Sequence, residues 1–192
     1  MLDTLSPRQD KPVSQGKAIS PSMIMKPRGL TLMEVMVTVA IMAILLVLAV
    51  PSFNSFLARG RLTGAAEALA QDLQLAKSEA LRRNAEVRFS FSPGSPWCYG
   101  SIASSTACNC TTASACTLRQ VDGSAYAGVT MAMPNPTFAD NTAIFTARQG
   151  LANAGRVEFT HPNAGTLRVS LGATGQVSIC STSGGLGHHL AC

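Results

Sequence analysis

At 192 residues the chain has room for one ordinary domain and an appendage, and its mean hydropathy of +0.22 is high for a soluble domain. The formal net charge is +5, but Arg8, Lys11, Lys17, Lys26 and Arg28 against Asp3 and Asp10 put +3 of it on residues 1–29, leaving +2 on the rest. That balance gives no ground for a general polyanion-binding surface, and no nucleophile elbow or phosphate-binding glycine loop marks an enzyme.

Residues 1 to about 24 are polar, contain Pro and Ser and lack periodicity, so no fold is expected there. Met25-Lys26-Pro27-Arg28-Gly29 reads as a basic leader in its own right, with Met23 or Met25 as alternative starts. From Val35 to Val50 no residue is charged, and Thr38 is the one polar side chain. With Leu30 to Glu34 the run is long enough to span a bilayer core of about 30 Å, provided Glu34 is accommodated. Positive charge ahead of the run places that end in the cytoplasm and the remainder outside, in a bacterial periplasm. Pro51 closes the run and is expected to kink or break the helix.

Beyond it the pattern turns amphipathic. Leu62, Ala66, Leu69, Leu73, Ala76 and Ala80 recur at spacings of four and three, while Arg61, Glu67, Asp72, Lys77 and Arg82 take other faces. Gly60 and Gly64 weaken the start of this stretch by about 1 kcal/mol each relative to alanine. The helix should end near Asn84, and from Leu30 it would run roughly 80 Å.

After Asn84 the period changes to alternation. Val87–Phe91 reads as a half-buried strand, and Pro93-Gly94-Ser95-Pro96 ends it. Residues 98–126, rich in Cys, Ser, Thr and Ala, read as a stapled loop. Short strands are expected at 128–133, 143–146, 156–160, 167–171 and 176–180, followed by a Gly-rich tail from Ser181 to Cys192. Arg82, Arg83 and Arg88 form a small basic cluster that reads as a solvated helix cap, and Trp97-Cys98-Tyr99 reads as core beside a disulfide.

All six cysteines, Cys98, Cys108, Cys110, Cys116, Cys180 and Cys192, follow the apolar run, so in an oxidising compartment they should form disulfides. Cys180 and Cys192 lie beyond every other cysteine and should pair. Among the other four, joining Cys108 to Cys110 across a single residue is sterically poor. That leaves Cys98 with Cys108 or Cys110, and Cys116 with the other. The Cys-x-Cys spacing is tighter than the usual zinc pattern, so no metal or other cofactor is expected. His188 and His189 read as incidental residues of the tail, and His161 has no carboxylate at a suggestive spacing.

The sharpest feature is Lys26-Pro27-Arg28-Gly29-Leu30-Thr31-Leu32-Met33-Glu34, directly before the apolar run. A secretory signal has its small-residue cleavage site after the apolar stretch, whereas here the processing-like sequence lies before it. Cleavage between Gly29 and Leu30 would leave the apolar helix on the mature chain, with Glu34 as its fifth residue. A lone glutamate in a membrane helix is costly and needs a partner, which the new amine of a neighbouring subunit could supply. The segment resembles the type IV prepilin signature, with Leu30 where the family usually has phenylalanine.

That resemblance implies cleavage after Gly29 by a prepilin peptidase and methyltransferase, N-methylation of Leu30, and an α+β lollipop fold in which a long N-terminal transmembrane helix packs on an antiparallel β-sheet. More loosely, residues 61–192 resemble the GspH/FimT group of minor pilins and pseudopilins. Some members of that group bind DNA through a Gly-Arg-x-Arg element. Here the corresponding place reads Gly175-Gln176-Val177-Ser178, without either arginine, so nucleic acid is not expected as a partner.

The resulting expectation divides the chain into a cleaved leader (1–29), a transmembrane half-helix (30–50), an amphipathic periplasmic half-helix (51–84) and a disulfide-bonded β-domain (85–192). It is a single-pass inner-membrane protein that joins other pilins or pseudopilins in a filament and catalyses nothing. The cysteine-rich insertion points to a minor pilin of a type IV pilus, helping to initiate or assemble it. The alternatives are the corresponding pseudopilin of a type II secretion system and a DNA-uptake receptor.

Overall fold

A single helix, α1 (Leu32–Arg83), runs through the region where the sequence changes from uniformly apolar to striped. The structure, a computed structural model, describes residues 29–135 and 137–192; within α1 the side chains of residues 48–52 are not described. The leader before Gly29 and its alternative starts therefore lie outside the described residues, as does the side chain of Pro51, although the helical backbone continues through that position. Among the described residues no helix is long and apolar enough to cross a membrane. The apolar run itself extends to Val50, past the last described side chain before the gap.

Both ends of α1 are locally specified. Thr31 precedes the first turn, and its hydroxyl accepts the backbone N–H of Glu34 at 3.2 Å, the first half of a Thr-x-x-Glu capping box. At the other end Asn84 adopts φ +49°. The Asn84 and Ala85 N–H groups donate to the carbonyls of Leu81 and Ala80, which closes a Schellman motif. Arg82 and Arg83 in the last turn suit the negative end of the helix dipole, and both also reach Glu79.

The strands are β1 (Val87–Ser92), β2 (Cys98–Ile102), β3 (Arg119–Asp122), β4 (Thr130–Ala132), β5 (Thr142–Phe145), β6 (Gly155–His161), β7 (Gly165–Leu171) and β8 (Val177–Ser181). They form two four-stranded antiparallel sheets, in the orders β3-β2-β1-β5 and β4-β6-β7-β8. Strands β6 and β7 alternate buried and half-buried residues along their lengths, as one-sided sheet strands should.

Residues 98–126, expected to be a loop, contain β2 and β3 at either end of a shorter Cys-rich excursion. Strand β2 shows no alternation because Cys98, Tyr99, Gly100 and Ser101 are all buried. Gly100 is small for a reason, since a Cβ there would stand 2.5 Å from the Cys116 sulfur. Strand β3 is a short edge strand flanked by charged Arg119 and Asp122, and so carries little apolar signal.

The core lies between the striped part of α1 and the sheets. Leu62, Ala66, Leu69, Leu73, Ala76 and Ala80 are buried together with Phe89, Tyr99, Phe145, Phe159 and Leu167. Trp97 anchors one end, its ring 5.1 Å from that of Phe159 and its indole N–H donating to Val129 O at 2.9 Å. Leu69 is 0% exposed and Leu75 45%. Leu69→Ala should therefore cost about 2–5 kcal/mol of stability, and Leu75→Ala well under half as much. Urea unfolding of the oxidised protein checks this; equal losses would mean that the stripe is not the core-facing side.

Candidate functional site

The first candidate site is the start of α1. Glu34 sits in the first helical turn, three residues beyond Thr31, and the apolar side chains around it have no cover among the described residues. Leu32 is 81% exposed, and Met33, Met36, Val39, Met42, Leu45 and Leu46 are likewise open. The described apolar side chains from Leu30 to Val47 are exposed with no face favoured, and none of the described residues covers them.

Further along, α1 carries polar groups that fasten it to the sheets. Asp72, expected on a face other than the apolar stripe, is buried; its Oδ2 accepts the Tyr99 hydroxyl at 2.9 Å and the Arg119 Nε–H at 3.0 Å. The Tyr99 hydroxyl is held well above the ordinary phenol range, first by burial and then by the adjacent Asp72 carboxylate. Lys77 donates its ammonium to the carbonyls of Thr174 at 2.8 Å and Gly175 at 3.4 Å. This cation therefore engages the backbone of the β7–β8 turn, where Gly175 has φ +69°.

The cysteines pair Cys98 with Cys110, Cys108 with Cys116 and Cys180 with Cys192, and none is left as a free thiol. The first two bridges staple the β2–β3 excursion. Gln120 adds to them by donating to the carbonyls of Cys110 and Thr112. The third ties Cys192 to β8, where Ser181 also exchanges backbone hydrogen bonds with Leu190 and Cys192.

The basic cluster is compensated, since Arg82 and Arg83 reach Glu79 while Arg88 reaches Glu86. Buried His161 is satisfied locally, with Nδ1 accepting the Asn163 N–H at 3.1 Å. Among the described residues one group combines ligating side chains closely enough to hold a metal ion, namely Glu67, His188 and His189. Sequence spacing gave no hint of it, because Glu67 lies 121 residues from His188. The His189 imidazole has its pKa lowered, by burial first and then by His188.

Residues 65–175 match the family model described as type II transport protein GspH, and residues 24–50 match the prokaryotic N-terminal methylation motif. The chain belongs to the GspH family. It is accordingly a pilin-type subunit, a minor type IV pilin or a GspH-like pseudopilin, and the family is a structural one. A search of the curated proteins found no match.

Among solved structures, this GspH-family chain is similar to the type IV minor pilin FimU of Pseudomonas aeruginosa strain PAO1. In one crystal form the identity is 23%, the match covers 70% of this chain and 98% of FimU, and the TM-score is 0.49. In a second crystal form the identity is 20%, the coverage 67% and 98%, and the TM-score 0.47. It is also similar to the minor pseudopilin EpsH of the Vibrio cholerae type 2 secretion system, at 11% identity over 63% of this chain and 97% of that one, with a TM-score of 0.45.

Within this GspH-family subunit the Asp72–Tyr99 bond is open to a direct test. The unfolded chain ionises its tyrosines near pH 10, whereas native Tyr99 stays protonated beyond that point. Above about pH 10 the unfolded state therefore holds fewer protons, and stability falls as pH rises. Tyr99→Phe should cost about 1–3 kcal/mol at pH 7, because Asp72 loses a buried donor. It should also flatten the decline above pH 10. Guanidinium unfolding at pH 7 and at stepped alkaline pH reads both effects, and an unchanged alkaline slope would contradict the assignment.

Proposed function

We propose that the chain is cut between Gly29 and Leu30, methylated on the Leu30 amine, and held in the bacterial inner membrane by residues 30–50 as a single pass with the β-domain in the periplasm. From there it enters a filament as a minor subunit, packed beside other pilins or pseudopilins. The observation that carries this reading is the pairing of the N-terminal methylation motif with a helix whose described apolar side chains, Leu30 to Val47, lie open. Lipid tails cover such a surface before assembly, and the helices of neighbouring subunits cover it afterwards.

Glu34 gives that transfer a direction. A carboxylate among lipid tails costs roughly 2.5–3.5 kcal/mol, and the amine of a neighbouring subunit's Leu30 relieves the cost. The chain is then a substrate of a prepilin peptidase and methyltransferase and not itself a catalyst. Nucleic acid has no part in this role. Arg82, Arg83, Arg88, Arg119 and Arg168 already have carboxylate partners, and neither Gly175-Gln176 of the β7–β8 turn nor Val177-Ser178 at the start of β8 supplies an arginine. The disulfide-stapled β2–β3 excursion favours a type IV pilus, where an exposed tip must withstand handling. The description of the matching family favours a type II secretion pseudopilus. The neighbouring genes separate the two.

Two variants test the role of Glu34. Glu34→Gln keeps the capping geometry, which glutamine also supports, but removes the charge; Glu34→Ala removes both. Both should insert in the membrane normally and enter sheared filaments at least about tenfold less than the native chain. Normal incorporation of Glu34→Gln, read by immunoblotting of the filament fraction, would reduce Glu34 to a helix cap.

A further inference from the structure

We propose that Glu67, His188 and His189 form a binding site for a divalent transition-metal ion of the zinc type. The Nε2 atoms of His188 and His189 stand 3.0 and 3.6 Å from the same Oε1 of Glu67, and the three ligand atoms lie within 4.8 Å of one another. Nitrogen and oxygen ligands at about 2.0–2.1 Å from a tetrahedral zinc ion are themselves about 3.3 Å apart, and the 3.0 and 3.6 Å distances from Glu67 bracket that value. Two imidazoles and a carboxylate are also a donor set that zinc accepts.

A hydrogen bond between His188 and Glu67 accounts for only part of this arrangement. The His189 side chain is just 9% exposed, faces the same carboxylate oxygen, and its Nε2 is buried without a hydrogen-bond partner. An orphaned imidazole nitrogen in that position is costly unless something binds it. A cation held between the three side chains would satisfy it and Glu67 at once.

The backbone around the histidines is built to present them together. Leu186 and His189 exchange both backbone hydrogen bonds at 3.1 Å, and Gly187 fills the first central position of the intervening turn with φ +63°. The Cys180–Cys192 bridge and the Ser181–Leu190 hydrogen bond fix the ends of this hairpin, while Glu67 projects from α1. The His188 side chain is 70% exposed, which leaves a fourth coordination position to water. Ion binding would clamp the C-terminal hairpin to the helix across 121 residues of sequence.

The test uses the full chain with its disulfides intact, purified in detergent on a histidine-free tag, titrated calorimetrically with Zn²⁺ alone. The expected result is one ion per chain, with affinity falling at least tenfold in His188→Ala and in Glu67→Gln. A Co²⁺-loaded sample should show the visible absorption of a tetrahedral site in the native chain and lose it in both variants. His188 is exposed and Glu67→Gln is isosteric, so neither change endangers the fold. Absence of 1:1 Zn²⁺ binding by the native chain, or a loss of less than tenfold in both variants, would overturn the proposal.

Discussion

The apolar stripe on α1 from Leu62 to Ala80 has to be covered, and most of the folded architecture follows from how that is done. A helix with large and small apolar residues on one side gains stability only when a surface of matching width lies over it. Here that surface comes from the strands. Small residues at Ala65, Ala66, Ala70, Ala76 and Ala80 let the backbone of α1 approach, while Phe89, Tyr99, Phe145 and Phe159 fill the space around Leu62, Leu69 and Leu73. The same helix between Leu32 and Val47 has no such stripe and gains no cover from the described residues. One continuous element therefore carries two solvation problems, the first solved by folding and the second, in the proposed role, left to lipid or to other subunits.

Polar groups are placed where they lock this packing. Asp72 is tolerated at the margin of the core because Tyr99 and Arg119 both donate to it, from β2 and β3 respectively. A carboxylate stripped of those donors would be a buried unpaired charge, so the network specifies how the helix and the β3-β2-β1-β5 sheet register. Lys77 does the equivalent work on the other sheet through the β7–β8 turn. The bridges Cys98–Cys110 and Cys108–Cys116 act where burial cannot, since the excursion between β2 and β3 has few apolar side chains of its own. By the chain-entropy estimate each loop of this size contributes about 2–4 kcal/mol.

What could be read from the sequence follows from which interactions are local. The extent of α1 was legible because its stripe repeats at helical spacing and its end is marked by arginines and Asn84. Strands β1, β6 and β7 were legible because they alternate. Strand β2 was not, since a strand buried on both sides and forced to carry Gly100 under a disulfide looks like a loop. The division of the strands into two sheets, the inward turn of Asp72 and the meeting of Glu67 with His188 and His189 depend on contacts far apart in sequence. No periodicity encodes those. The N-terminal segment is the opposite case, because its meaning is carried by local order: basic residues, then Gly29-Leu30, then Glu34, then apolar residues.

In the proposed role that order determines whether α1 begins the mature protein, and so whether the chain can act as a filament subunit. Intact-mass and peptide mass spectrometry of the protein recovered from cells and from sheared filaments measures this directly. The mature chain should begin at Leu30 and carry one added methyl group on its amine. A recovered chain that retains residues before Leu30, or one cut after the apolar run so that Leu30 to Val50 are lost, would contradict it.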